Sequence, residues 1–462
     1  MIFNSFEFIF LFLPCVVLGY HLLQRLKLGQ RNLALDWLIL CSLFFYAWGN
    51  PNNFPILLGS LFFNYAMACW MGAAHSAKQE TPSLKRKYIL IFSILANLLF
   101  LSYYKYLSAL PLGVSFFTLM QVMYLVDCFE GMITPNTLRE HALLVSFFPT
   151  VTMGPILRTK EFLSQFTDST IQRTSADQIA PAILLFTMGL FKKAVIADNF
   201  ARIADAGYSS TATLSMLEGW MCSIAYSVQL YFDFSGYSDM AVASALFLGI
   251  NIPINFNSPY QARSIVDFWK RWHISLSNFI TTYLYTPIVR SFKQLTFKKA
   301  MWSTFVSMLI AGLWHGAGWG FIIFGALHGI GLVINQYRKK AKKKLPDLLA
   351  WGLTLAYINF TFIFFRAHTL SDAFDVLRSF ANIESIVGME TLKLSIRGAD
   401  MIEMSLPLLM GCMIIFCKKN SNQIVKEFRP TNKNLLWSTL AMFISLIYLN
   451  SNIGKEFLYF DF

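Results

Sequence analysis

The sequence predicts an all-α, polytopic integral membrane protein. Three observations carry that prediction: composition, the length of the apolar runs, and the placement of charge. Of 462 residues, 56% are hydrophobic and 14% are charged, whereas soluble domains carry about 25% charged residues. The 45 Phe, 19 Tyr and 11 Trp would leave a soluble chain of this length with far too much exposed apolar surface. The apolar runs match the roughly 17–25 residues of a bilayer span. They are continuous, not alternating with period two over about ten residues as in a transmembrane β-barrel. The net charge of +13 falls in clusters at 25–31, 78–87, 263–299, 338–344 ("RKKAKKK") and 418–433. Cytoplasmic loops are enriched in Lys and Arg, so these clusters mark the cytoplasmic side and read as topology determinants, not as a nucleic-acid surface.

Spans read at 6–24, 33–49, 53–74, 88–108, 111–128, 141–156, 177–197, 212–232, 237–254, 301–314, 317–336, 346–365, 403–417 and 434–450. This gives about 11–14 membrane or re-entrant helices. The short ones at 111–128, 141–156 and 301–314 suit re-entrant or protein-enclosed segments. The first run, "FEFIFLFLPCVVLGYHLL", has no basic segment ahead of it and no A-x-A-like site behind it, so it reads as a retained span, not a signal peptide. With the N-terminus outside, basic loops fall inside at both ends of the chain. The loop 366–402 then lies outside, mixing Asp372, Asp375, Glu384, Glu390, Lys393, Arg397 and Asp400. The seven cysteines form no CxxC pair and read as packing residues. No linker, low-complexity tail or repeat divides the chain, which reads as one membrane domain, 1–462. Within it, 255–300 is too polar to span and too aromatic for a plain loop.

Ionisable groups at membrane depth need a reason, and three neighbourhoods hold them. In "YSVQLYFDFSGYSDMA" (226–241), Asp233, Ser235, Tyr237 and Asp239 interrupt apolar sequence. "SG" is expected to break the helix there, with Asp239 either capping the next helix or shaping a polar tunnel. In "SPYQARSIVDFWKRWHISLSNFITTYLY" (258–285), Val266, Trp269, Trp272 and Leu276 share a face at helical spacing. An amphipathic helix at the cytoplasmic interface is expected, with Lys270 and Arg271 suited to anionic headgroups. His273 sits in its middle, structural or catalytic. In "GLWHGAGW" (312–319), His315 stands about 15 residues beyond the basic edge at 298–300, roughly 20 Å into the membrane along a helix. One role for it is to hydrogen-bond a carbonyl and pin two helices. The other is general base toward a hydroxyl; Gly312, Gly316 and Gly318 are then expected to leave backbone open around the imidazole. His328 follows in "GALHG". None of His273, His315 and His328 has an i, i+4 His or Cys partner for a metal, and no GxSxG, Walker or GxGxxG signature is present.

These blocks resemble the signature blocks of the membrane-bound O-acyltransferase (MBOAT) family. "YFDFSGYSDMA", "NFNSPYQARSIVDFWKRWHISLSNFITTYLYTPI" and "GLWHGAGWGFIIFGALHG" carry the resemblance, with "LPLGVSFFTLMQVMYLVD", "FFPTVTMGPILRTKEFL", "GLFKKAVIADNFA" and "FIFFRAHTLSDAF" in support. It extends over nearly the whole chain and is nearest the bacterial branch of alginate, peptidoglycan and cellulose O-acetylation proteins and the teichoic acid D-alanyl transferase. After Tyr285 the chain reads "YTPIVRSFKQ" where alginate-type members carry a Gly-Gly loop, so the resemblance indicates the family and leaves the acceptor open. It implies His315 as the catalytic histidine and His273 as the second signature position, in a helical funnel around a tunnel. Tunnel-lining positions would be Asp233, Ser235, Tyr237, Asp239, Trp269, Arg271, Trp272, Ser275, Trp314, Trp319 and His328.

The expected activity is acyl transfer, with no bound cofactor or metal. Acetyl-CoA, or a carrier-borne acyl thioester, would reach His315 from a cytoplasmic vestibule whose bases, Arg263, Lys270 and Arg271, draw CoA phosphates. The acceptor would be a glycan hydroxyl or a periplasmic acetyltransferase- or esterase-like partner protein, at the bacterial inner membrane with an extracytoplasmic N-terminus. D-alanyl transfer from a carrier protein is the variant reading. A transporter without acyl chemistry is the competing class.

Overall fold

The computed structural model describes residues 1–26, 33–73, 83–167, 176–383, 401–417, 419–429, 431–451 and 457–458. Every regular element among them is helical. The expected charges Lys27, Arg31, Lys78, Glu384, Glu390, Lys393, Arg397, Asp400 and Lys418 lie outside the described residues. Six helices are long and apolar enough to cross a membrane: Phe8–Arg25, Pro51–Ala73, Leu84–Tyr106, Gln178–Tyr208, Trp319–Lys340 and Asp347–Arg366. The chain, read above as one domain, gathers into two compact units, each built from separated stretches.

The first unit comprises Met1–Phe186, Tyr237–Ile254 and Tyr459–Phe462. At its centre is Val114–Phe129. Thirteen of its 16 residues are buried, so it is enclosed by protein and has no lipid face, as its shortness suggested. It packs against the helices Phe54–Ala73 and Leu84–Tyr106, whose outer positions, Phe62, Leu95, Leu98 and Leu99, are exposed apolar side chains suited to lipid. Several buried polar groups here find partners within the unit. Asn64 and Asn97 exchange amide hydrogen bonds of 3.2 and 2.7 Å, and Gln121 donates to Ser60 Oγ at 2.7 Å. Arg86, 5% exposed, donates to the carbonyls of Cys128 and Phe129 at 3.0 Å. A cation at the carbonyl end of a helix is favoured by the helix dipole. Gly113 starts this helix at φ +74°, and a Cβ there would lie 2.2 Å from the Val151 carbonyl oxygen.

The second unit comprises Thr187–Gly236 and Asn255–Leu458. Its organising element is a helical hairpin, Phe297–His315 and Trp319–Lys340, joined by the extended residues Gly316 to Gly318. The basic ends meet: Lys340 Nζ lies 4.5 Å over the Phe297 ring. His315 therefore closes the opposite end, 19 residues along its helix, about 27 Å at 1.5 Å per residue. The third helix, Asp347–Arg366, packs on the second.

Two expectations fail at the level of local structure. "SG" does not break a helix, because Met216–Phe247 is one helix of 32 residues. Asp239 lies inside it, not at a helix start. Gly236 serves close packing: a Cβ there would meet the Gly189 carbonyl oxygen at 2.7 Å. Glycine is well tolerated inside membrane helices where neighbouring backbones approach. The amphipathic helix expected from Ser264 is also absent. Ile265–Trp269 is one turn long, and the chain then reverses at His273, whose φ of 43° and ψ of 54° are left-handed, before Ile274–Phe279.

The hairpin's glycines are filled with protein, contrary to the expectation of open backbone. A Cβ on Gly312 would lie 2.4 Å from the Phe321 carbonyl oxygen, one on Gly325 2.6 Å from that of Met308, and one on Gly316 2.3 Å from the Phe321 ring. At Gly318 the nearest atom would be 3.8 Å away. Gly325→Ala is expected to lower the thermal inactivation temperature in detergent, by the roughly 1–3 kcal/mol of an overpacked contact, while Gly318→Ala leaves it unchanged. Equal midpoints for the two variants would contradict this packing.

Candidate active site

His315 is the last residue of its helix and 4% exposed. Rings surround it: Trp314 at 4.9 Å, Phe365 at 5.2 Å and Phe324 at 5.8 Å between centroids. All but Trp314 come from the two partner helices of the hairpin bundle. The imidazole thus has an apolar wall, and the chain that follows it is exposed at Gly318 and at Trp319, where the next helix starts.

His273 is wholly buried. Its left-handed backbone costs a non-glycine residue of order 1–3 kcal/mol. Two backbone bonds hold it there, from Ile274 to Asn255 O at 3.0 Å and from Asn257 to Arg271 O at 2.9 Å. Asn255 Oδ1 also accepts from Ser275 N at 3.1 Å and Ser275 Oγ at 2.7 Å. Phe234 meets the imidazole edge-on at 4.7 Å. From there ring contacts pass through Phe256, Trp272, Phe362 and Phe324 to His315. The two histidines thus belong to one aromatic core. Burial pushes the His273 imidazole down to about 3, so it is neutral at physiological pH.

The remaining predicted positions divide. Asp233 is committed to an ion triad. Lys193 Nζ lies 2.7 Å from Asp233 Oδ1 and 2.9 Å from Asp198 Oδ1, with all three side chains nearly inaccessible. Phe457 covers the ammonium at 4.6 Å, and Leu458 N donates to Asp233 Oδ2 at 3.0 Å. Lys193 and Asp198 are five residues apart, which an α-helix would splay. The π-helical stretch Lys192–Ala197, with Asp198 N bonded to Lys193 O, brings them onto one face. Neither residue drew a role from the sequence; the signal available was a lysine at the end of the apolar run 177–197.

Ser235 is buried in the same unit. Trp269 donates from Nε1 to His328 Nδ1 at 3.1 Å, and Trp272 stacks on Phe268 at 5.4 Å. Tyr237 and Asp239 belong to the first unit, where Tyr237 shares a hydrogen bond with Thr152 and stacks on Phe3 at 4.8 Å. Two of the three bases expected to draw CoA phosphates are paired within the chain: Arg271 Nε with Asp267 at 2.8 Å, and Arg263 with Asp347. Lys270 is exposed. Beside Phe365, Arg366 pairs with Asp205 at 3.0 Å and lies 5.2 Å over Tyr208 and 5.8 Å over Tyr226.

A buried imidazole thus ends one helix of a hairpin, inside an aromatic wall. Comparison with known proteins gives the family. Residues 138–371 match the model of the MBOAT, membrane-bound O-acyltransferase family, a stretch that holds His273, His315 and His328. The chain is 36% identical to the peptidoglycan O-acetyltransferase of Helicobacter pylori, over 100% of this chain and 98% of that one. It is 35% identical to the "Probable alginate O-acetylase AlgI" of Pseudomonas aeruginosa over 81% and 73%. Against the teichoic acid D-alanyltransferase of Streptococcus thermophilus it is 30% identical over 51% and 59%. The chain belongs to the membrane-bound O-acyltransferase family and is a multi-pass membrane O-acyltransferase.

Two measurements test this geometry. Removing Lys193 strands two carboxylates, whereas removing the Asp233 charge leaves Lys193 with Asp198. Lys193→Met is therefore expected to destabilise by about 3–5 kcal/mol, the usual effect of breaking a buried pair, and more than Asp233→Asn; the reverse order in detergent thermal inactivation would contradict the triad. The depressed His273 acts on acid stability. The unfolded chain takes up its proton near pH 6.5 and the folded chain does not until about 3, so stability is intact above 6.5 and lost as pH falls through that window. His273→Gln is expected to flatten the loss between pH 6.5 and 5, read as inactivation temperature against pH.

Proposed function

We propose that the protein transfers an acetyl group from a cytoplasmic thioester, acetyl-CoA, to a hydroxyl presented on the other side of the bacterial inner membrane. On this reading 1–462 acts as a single acyltransferase domain with an extracytoplasmic N-terminus. The single observation that carries the reading is the position of His315: buried, at the tip of the hairpin, one helix length from its paired basic ends. The full-length similarity to a peptidoglycan O-acetyltransferase supports a cell-wall glycan hydroxyl as acceptor, reached directly or through a partner protein.

In this mechanism His315 Nε2 accepts the proton of the acceptor hydroxyl as its oxygen attacks the thioester carbonyl carbon. The tetrahedral intermediate collapses by breaking the carbon–sulfur bond. The departing thiolate takes the proton from the imidazolium, leaving an ester, a free thiol and neutral His315. The rings around His315 exclude water, which strengthens electrostatic interactions with the developing oxyanion. His273, held neutral by burial, donates or accepts a hydrogen bond without adding charge. The ion-paired Arg263 and Arg271 leave Lys270, with 298–299 and 338–344, as the bases that draw CoA phosphates.

His315→Ala is expected to lower acetyl transfer by about 10²–10⁴-fold, the usual share of a general base, in protein that inserts at the wild-type level. Thiol release from acetyl-CoA and ester formation on the acceptor are both measured. Full residual transfer by the variant would overturn the assignment.

A further inference from the structure

We infer that His328 is a positioning residue for His315, acting through a one-way hydrogen-bond relay that fixes the spacing of the rings holding the catalytic imidazole. The inference rests on His315 as the reacting base.

His328 is wholly buried, and both ring nitrogens are engaged. Trp269 Nε1 approaches Nδ1 at 3.1 Å, and Thr361 Oγ1 approaches Nε2 at 3.1 Å. An indole N–H only donates, so Nδ1 must present its lone pair. The proton therefore sits on Nε2 and is donated to Thr361 Oγ1. That hydroxyl in turn donates to the Ile358 carbonyl at 2.8 Å. Only one tautomer satisfies the whole series, and it has no group to spare for taking a second proton. His328 is thereby unsuited to acid–base work and suited to joining three segments: Ile265–Trp269, Trp319–Lys340 and Asp347–Arg366.

The relay sits one helical turn from the catalytic imidazole on both partner helices. Phe324 precedes His328 by four residues and lies 4.4 Å from its ring. Phe365 follows Thr361 by four. Residues four apart share a helix face, so the span between His328 and Thr361 sets the span between Phe324 and Phe365. Those two rings meet at 4.9 Å, and both face His315, at 5.8 and 5.2 Å. Loss of the Thr361 hydroxyl would leave the Nε2 proton without its acceptor and let the helices part at that level. A displacement near 1 Å at a reacting group lowers rate up to about 100-fold.

The test pairs activity with a direct view of the relay in the full-length protein. Thr361→Val and Trp269→Phe are expected to lower kcat for acetyl transfer by about 10–100-fold, with KM for acetyl-CoA unchanged; Thr361→Ser keeps the hydroxyl and the rate. His328→Gln, which keeps a donor toward Thr361, recovers part of the rate that His328→Leu loses. In a His315→Ala background Thr361→Val produces no further loss, because its effect passes through His315. Wild-type kcat in Thr361→Val, or the same fold-loss with and without His315, would overturn the inference. Nitrogen-15 NMR of histidine-labelled protein judges the relay apart from activity. It is expected to show His328 protonated on Nε2 alone, with the Nδ1 signal moving in Trp269→Phe; a proton on Nδ1 refutes the relay. Full activity in His315→Ala alone refutes instead the base assignment on which the inference rests.

Discussion

The close approach of Gly312 to Gly325 is the constraint on which the second unit's site depends. With no side chain on either residue, backbone nearly touches backbone, and a methyl group on either would fall within 2.4–2.6 Å of a carbonyl oxygen. In a bilayer, apolar side chains gain nothing by leaving lipid for protein, so helix association rests on tight van der Waals contact. Once that crossing is set, Phe324, one residue before Gly325, must lie against the end of the first helix, where His315 is. The paired basic ends follow from the same crossing, because two antiparallel helices in contact along their length bring Lys340 onto Phe297.

Polar groups are handled by the same economy of partners. Hydrocarbon offers no hydrogen bonds, so a polar atom is stable at depth only where protein supplies its complement. Asn64 and Asn97 answer each other; Arg86 answers the carbonyls of a helix end; Lys193 answers two carboxylates. In the last case the helix itself yields, adopting a π turn so that residues five apart share a face. Buried ion pairs give little net stability, which makes the triad a device for fixing geometry more than for holding the fold together.

Much of this was legible in the sequence and some was not, for reasons that can be named. The all-helical membrane class follows from composition, and six helices of span length are present among the described residues, although the runs 212–232 and 237–254 form one helix. The spacing of His315 from the basic edge at 298–300 also holds, one helix length along Phe297–His315. Arg271 was read as a free base although Asp267, four residues before it, is its helical partner in sequence as in space. Gly236 was read as a breaker because glycine interrupts helices in water; the reason it does not here is Gly189 on another element, which no local pattern reveals. The glycines around His315 were read as open space on the same ground. His273 was placed mid-helix because Trp269, Trp272 and Leu276 keep helical spacing. The left-handed turn that overrides the spacing is held by Asn255, eighteen residues earlier. In each case the local pattern could not give the identity of the neighbour that decides the conformation.

The treatment of the three motif histidines follows from one physical requirement. An imidazole used as a base must be able to take a proton, and so must be free of donors aimed at its lone pair. His328 faces an indole donor on one nitrogen and a hydroxyl on the other, which fixes its proton and disqualifies it from transfer. His273 is sealed by aromatic rings and held neutral by burial, which suits a hydrogen-bonding neighbour of the reaction better than its base. His315 differs in where it stands. It ends its helix, so the chain beyond it is extended backbone leading to the exposed Gly318 and Trp319. Two neighbouring helices supply its apolar wall, and the chain beyond it reaches the surface within three residues. The proposed role of His315 as base fits that position, while the other two histidines are placed for support.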